Sequence, residues 1–205
     1  GDGRPQAMVE GVSTVREETG DVIDVMVLYT PRARNLAGGT SAMHALITVG
    51  ATNTNVGFDN SGLAVPRINL VHVDEIQYTE SGSMSSDLGA FTDGEVAGVH
   101  ALRDSVSADL VAVVSGGNRD YCGIAYLPSP MTPSKDYLGF SVTDQGCITG
   151  HTFAHELGHN MGFHHDPANA SSSGAFSYSY GYQDCGYFRT IMAYQCSSYT
   201  SRVVH

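Results

Sequence analysis

Lysine is almost missing from this 205-residue chain, with Lys135 the only one. Lysine and arginine together number 10 against 21 aspartates and glutamates, a formal net charge of −11. That balance excludes the basic stripe that phosphate binding needs, so nucleic acid is not an expected partner. The acidity reads as solubility. Charged residues make up 15% of the chain, well below the usual ~25%. No apolar run approaches the ~18 residues of a membrane helix. The N-terminus lacks the basic and apolar regions of a signal peptide, so an exported chain would have had its leader removed already. No internal repeat and no low-complexity tail are found. Cysteine is scarce: Cys122, Cys147, Cys185 and Cys196 are widely spaced. An even count at that spacing predicts disulfides, an oxidising compartment and a secreted protein. At this length one domain is the natural count.

What the chain does have is histidine, concentrated in His155-Glu-Leu-Gly-His-Asn-Met-Gly-Phe-His-His165. His155 and His159 are four apart, which on a helix places both rings on one face, roughly 5–6 Å apart at Cβ. Rings so placed can bind one Zn²⁺ at about 2.0–2.1 Å each. Glu156 follows the first ligand and so points beside the metal, where a general base can take a proton from water. Gly162 can turn the chain without the Cβ penalty of a left-handed conformation. His165 then arrives as third ligand. Three protein ligands leave a fourth position open, the mark of a catalytic zinc. His164 competes in register, but the ten-residue offset from His155 selects His165. The remaining histidines, His44, His72, His100, His151 and His205, read as ordinary surface or core residues. None of the cysteines lies in the motif.

Thr190-Ile191-Met192-Ala193-Tyr194 follows downstream. With the extended histidine motif it makes the chain resemble the metzincins, zinc endopeptidases in which a Met-turn underlies the metal. The resemblance implies Met192 as the hydrophobic floor beneath three histidines. Asp166, directly after the third histidine, is similar to the position in adamalysins (reprolysins), as is the run Phe153–Gly162. Val25–Pro31, Tyr121–Leu127 and Phe188–Tyr194 resemble the bacterial peptidyl-Asp metalloendopeptidases, which cleave on the N-terminal side of aspartate. The likeness runs from about residue 21 to the end. One departure stands out. Adamalysins carry proline two residues after the Met-turn methionine, whereas this chain has Tyr194. Astacins and serralysins have tyrosine there, able to swing toward the reacting carbonyl.

The resemblance implies a secreted zinc endopeptidase acting on proteins or peptides, monomeric, with one catalytic Zn²⁺. A structural Ca²⁺ is left open, with no ligands assigned. Glu156 would be the general base and Tyr194 an oxyanion donor, with Asp166 fixing the floor of the site by local bonds. Substrate would pair with an edge strand containing Gly123, Ile124 and Ala125. Preference for aspartate would need a cation in the S1′ wall, for which Arg189 and Arg202 flank the Met-turn. Four cysteines allow three pairings. Cys122–Cys147 and Cys185–Cys196 are favoured, because the second would clip the ends of the Met-turn segment. The competing readings are an apolar P1′ preference, a protease toxin with one dedicated target, and a non-catalytic binding module, against which the intact Glu156 speaks. Asn169-Ala170-Ser171 matches a glycosylation acceptor pattern.

Periodicity supplies the scaffold. Residues 1–20 read as an extension or propeptide remnant, ahead of a catalytic domain over 21–205. Residues 22–29 form an apolar, β-rich run that Pro31 ends. Residues 40–56 space Ala42, Leu46, Val49 and Asn53 at helical intervals. Residues 67–76 alternate as a second strand, and 81–86 are loop. Residues 87–105 predict a second helix with Leu88, Phe91, Val99 and Leu102 on its apolar side. Residues 109–114 give a third strand, Gly123–Leu127 a fourth and Tyr137–Val142 a fifth. Residues 150–162 carry the zinc motif on a helix, and 167–190 are loop. The order predicts an α/β (α+β) fold with mostly parallel strands. The resemblance implies the metzincin form of it: a twisted sheet with one antiparallel edge strand, an active-site helix and a Met-turn.

Overall fold

The computed structural model describes residues 21–117, 121–196 and, as backbone, 201–202; the segment 1–20 lies outside the described residues. Strand β1 (Val22–Tyr29) lies near the middle of the sheet, and Val25 through Tyr29 are at most 2% exposed. Such an unbroken apolar run suits a strand covered on both faces. Its neighbours are β2 (Arg67–Glu75) and β3 (Leu110–Ser115). Beyond β3 come β5 (Phe140–Asp144) and the edge strand β4 (Gly123–Ala125), giving the order β2-β1-β3-β5-β4. All pairs are parallel except β4 with β5.

Helices cover both faces. Tyr29, Val27 and Val25 pack with Ile47, Phe153 and Leu157 on one side. Met26 and Leu28 pack with Leu88, Phe91 and Val99 on the other. Helix α1 (Pro31–Ala37) starts at the proline expected only to end a strand. Thr30 caps it by accepting the Ala33 N–H at 3.0 Å, and proline suits the first helical position.

Helix α2 (Thr40–Asn60) buries Met43, Ile47, Gly50, Ala51, Thr54 and Gly57, one residue out of phase with the face expected from Ala42, Leu46, Val49 and Asn53. Val49 is 41% exposed. The reason is close packing. A Cβ on Gly50 would stand 3.1 Å from both Ile148 and Phe153, so beyond Met43 and Ile47 the buried stripe continues through small residues that hydropathy weights little.

The expected helix over 87–105 is two helices, α3 (Met84–Thr92) and α4 (Val99–Ser105), broken where Gly94 and Gly98 take positive φ. Helix α3 begins inside the expected 81–86 loop, since Ser83 caps it through the Ser86 N–H. β4 is shorter than expected. The Tyr126 carbonyl is taken by Asn160 at 2.9 Å, and Pro128 follows. Residues Pro133–Leu138 form a 3₁₀ turn, which delays β5 to Phe140. A second 3₁₀ segment (Gln145–Gly150) leads into α5 (Thr152–Asn160), the motif helix. The 167–190 region holds two short strands, β6 (Gln183–Asp184) and β7 (Phe188–Arg189). β7 pairs in parallel with β8 (Ser201–Arg202).

Candidate metal centre and cleft

Every residue of α5 is buried, between the sheet on one side and the Met-turn segment on the other. His155 Nδ1 donates to the Ile191 carbonyl and His159 Nδ1 to the Phe163 carbonyl, each at 2.8 Å. A carbonyl only accepts, so each Nδ1 carries the proton and each Nε2 is left with its lone pair. Metal-ligating histidines are held this way, the far ring nitrogen bonded to a carbonyl so that the other faces the ion. The helix ends in a Schellman motif. The Phe163 N–H reaches Gly158 and the Gly162 N–H reaches His159, each at 2.9 Å, with Gly162 at φ 91°. The reversal brings His165 Nε2 to 3.1 Å from His159 Nε2. The three ligand atoms lie within 4.8 Å of one another.

This donor set fits a small, nitrogen-preferring cation. Nitrogens tetrahedral around zinc at about 2.05 Å lie ~3.3 Å apart, close to the His159–His165 separation. Burial, the main cause, pulls the His159 pKa down to about 4, and the neighbouring His165 and His164 pull the same way; the Phe163 hydrogen bond opposes them. Burial also lowers His165. Neutral imidazole is the form that binds metal. Among the described residues this is the one group of His, Cys, Asp or Glu side chains whose donor atoms converge in this way. His164 is turned elsewhere: its Nδ1 accepts the His165 N–H and its Nε2 meets Ser172 Oγ.

The three histidines open onto a cleft of about 530 Å³, whose lining includes Tyr121, Gly123, Ile124, Ala125, Glu156 and Tyr194. β4 forms one rim, and among the described residues it is the sheet's edge, with one hydrogen-bonding side not taken by another strand. Glu156 is 4% exposed and lies against Gly123. A larger depression of about 740 Å³ around Arg103, Lys135 and Asp136 holds none of the histidines.

Met192 stands on the other side of α5. Its sulfur occupies the space a side chain on Gly158 would need, and it is buried with Ala154 and Ile191. The disulfide Cys185–Cys196 brackets this segment, and Cys122–Cys147 joins the residue before β4 to the second 3₁₀ segment. Asp166, 1% exposed, accepts from Asn169, Gln183 and the Tyr194 backbone N–H. The Tyr194 ring packs tilted against His165, with centroids 4.2 Å apart. Burial raises the Tyr194 pKa, and the charges of Glu156 and Asp166 add to the effect.

Arg189 does not line the cleft. Its guanidinium donates to the Ala193 carbonyl at 2.6 Å, and its buried Nε has no hydrogen-bond partner among the described residues. Arg202 is its register partner across β7 and β8, with a side chain outside the described residues. The sequence reading missed Thr152, Ser171 and Ser172 in the cleft lining. Thr152 was within reach, standing three residues before His155 on the same helical face. The two serines come from a loop whose path no local pattern sets.

The model of Metallo-peptidase family M12 matches residues 19–203. The peptidyl-Asp metalloendopeptidase of Xanthomonas campestris pv. campestris is 33% identical over 180 residues, covering 86% of this chain and 41% of that protein. That of Stenotrophomonas maltophilia strain R551-3 is 32% identical over 196 residues, covering 92% and 45%. The chain thus spans less than half the length of these two curated relatives. A Pseudomonas fragi protein of the same name is 29% identical over 147 residues, covering 70% of this chain and 74% of its own. Among solved structures, one described as a chaperone–substrate complex superposes with a TM-score of 0.68 at 21% identity, over 85% of this chain and 30% of that one. That likeness is one of fold.

Proposed function

Since this chain belongs to Metallo-peptidase family M12, we propose that it is a secreted zinc endopeptidase, its catalytic domain running from residue 21 to 205, that hydrolyses proteins or peptides on the N-terminal side of aspartate. One observation carries the reading. Three histidine nitrogens and a buried carboxylate face a single cleft that a free sheet edge borders. His155, His159 and His165 would hold the ion. When bound there, zinc supplies Lewis acidity, polarising a carbonyl and lowering the pKa of water from near 16 to about 7.

The side chains do the rest. A peptide adds to β4 as a further strand, bonding to the main chain of Gly123–Ala125, so recognition tolerates many sequences. Glu156 takes a proton from the attacking water and returns it to the departing amine. The Tyr194 phenol donates to the oxyanion, and its raised pKa keeps it a donor at neutral pH. Met192 supports the histidines from below. The two disulfides favour an oxidising, extracellular setting. Aspartate preference is supported by the relatives' names, with Arg189 and Arg202 as the candidate cations.

Glu156→Ala tests the core of this reading. The variant is expected to retain one zinc per chain while peptide hydrolysis falls by about 10²–10⁴-fold. Near wild-type turnover in a metal-loaded variant would remove Glu156 from the mechanism.

A further inference from the structure

The contact between β4 and α5 does more than close the cleft. A Cβ built on Gly123 would stand 2.5 Å from Glu156 Oε1, 2.6 Å from its Cγ and 2.7 Å from its Cδ. All three nearest atoms belong to one side chain, so the Glu156 carboxyl fills the volume that any residue but glycine would claim. Gly123 does not have the positive φ that calls for glycine elsewhere in the chain. What the position needs is room, not backbone freedom.

Both partners of this contact hang from the same piece of chain. Gly123 pairs with Thr143 of β5, and the Asp144 N–H donates to the Cys122 carbonyl at 2.8 Å. Cys122 is joined to Cys147 in the 3₁₀ segment that runs directly into α5. The strand cannot drift from the helix without breaking these ties, and Glu156 is too buried to swing into solvent.

We propose that Gly123 is a positioning residue for Glu156: its missing side chain seats the carboxylate at a fixed height beside the three histidines. The edge strand that takes the peptide then also sets the base, so substrate and base share one reference surface. This rests on the reading of Glu156 as the base.

The test is a cycle of Gly123→Ala, Glu156→Ala and the double variant in the full chain. Gly123→Ala is expected to lower kcat by about 10²-fold, the scale of a ~1 Å misplacement, with KM changed less than about twofold. Bound zinc should remain at one per chain. Thermal unfolding gives a readout free of turnover. Gly123→Ala should lower Tm when Glu156 is present, and lower it much less in the Glu156→Ala background, where the space is vacant. If Gly123→Ala alone fails to fold, recovery of folding in the double variant carries the same meaning. Additive Tm effects, an unfolded double variant, or a change confined to KM would overturn the assignment. Activity surviving in Glu156→Ala would instead sink the base reading itself. An inactive Glu156→Ala beside a fully active Gly123→Ala would overturn only the role of Gly123.

Discussion

Asp166 Oδ2 accepts the backbone N–H of Tyr194 at 3.0 Å, tying the residue after the third histidine to the residue that closes the Met-turn. Its other partners are donors as well. Oδ1 takes the amides of Asn169 and Gln183, and Oδ2 shares the Asn169 amide. Only an acceptor on both oxygens satisfies that ring. Asp166→Asn keeps the shape but turns an NH₂ onto a donor in either orientation. The expected result is zinc affinity lowered by about 10–100-fold, with a fall in Tm. Competition with a calibrated chelator measures the affinity, and an unchanged value would mean that Asp166 does not hold the floor.

Tyr194 presents a second test. Its ring lies on His165 and its exposure is 45%, so the hydroxyl has freedom to meet a reacting group in the cleft. Tyr194→Phe keeps the ring contact and removes only the donor. On the proposed mechanism kcat falls by about 10²–10³-fold while KM moves little. Steady-state kinetics on one peptide decide it, and an unaltered kcat would leave the ring a structural role alone.

The two parts of the molecule were unequally legible in sequence. The metal set was readable because its geometry is local: His155, Glu156 and His159 share a helix, and Gly162 marks the reversal. β1 was readable because burial on both faces leaves an unbroken apolar run. The buried face of α2 was not, because Gly50 there serves close approach rather than hydrophobicity. The same holds for Gly123, whose meaning depends on a side chain from another element. The bonds of Asp166 and the direction of Arg189 depend on where a loop closes, which pairing rules and periodicity do not reach.

Proton linkage gives a third prediction, for the metal-free protein. In the folded chain His159 titrates at about 4, against 6.5 for an unperturbed histidine. Between those values the unfolded chain binds the proton and the folded one does not, so stability rises with pH. Chelator-treated protein should therefore lose stability as pH falls from about 6.5 toward 4, with little contribution from this group above 6.5. Denaturant midpoints at several pH values measure it. His159→Phe, which cannot titrate, should flatten that part of the profile, and an equally steep profile in the variant would assign the effect to other groups.

The last prediction concerns the choice of aspartate. Burial lowers the Arg189 pKa, and among the described residues no carboxylate pairs with it. A half-buried cation whose Nε meets no partner among the described residues is costly to leave so. A carboxylate brought in by substrate would relieve that cost. The guanidinium stands behind the cleft wall, anchored at Ala193, whose chain neighbour Tyr194 lines the cleft. Its planar fork can grip a carboxylate at two points, which lysine could not match. Arg189→Gln preserves a donor toward Ala193 but removes the charge. It is expected to lower kcat/KM for aspartate at P1′ by about 10²-fold, the scale of a lost buried charge pair, while zinc content stays the same. Cleavage-site profiling on a proteome digest reads the whole preference at once. If Arg189→Gln still favours aspartate, the role passes to Arg202, its register partner on β8. If the wild-type enzyme cleaves before large apolar residues instead, the aspartate assignment fails while the chemistry at the three histidines stands.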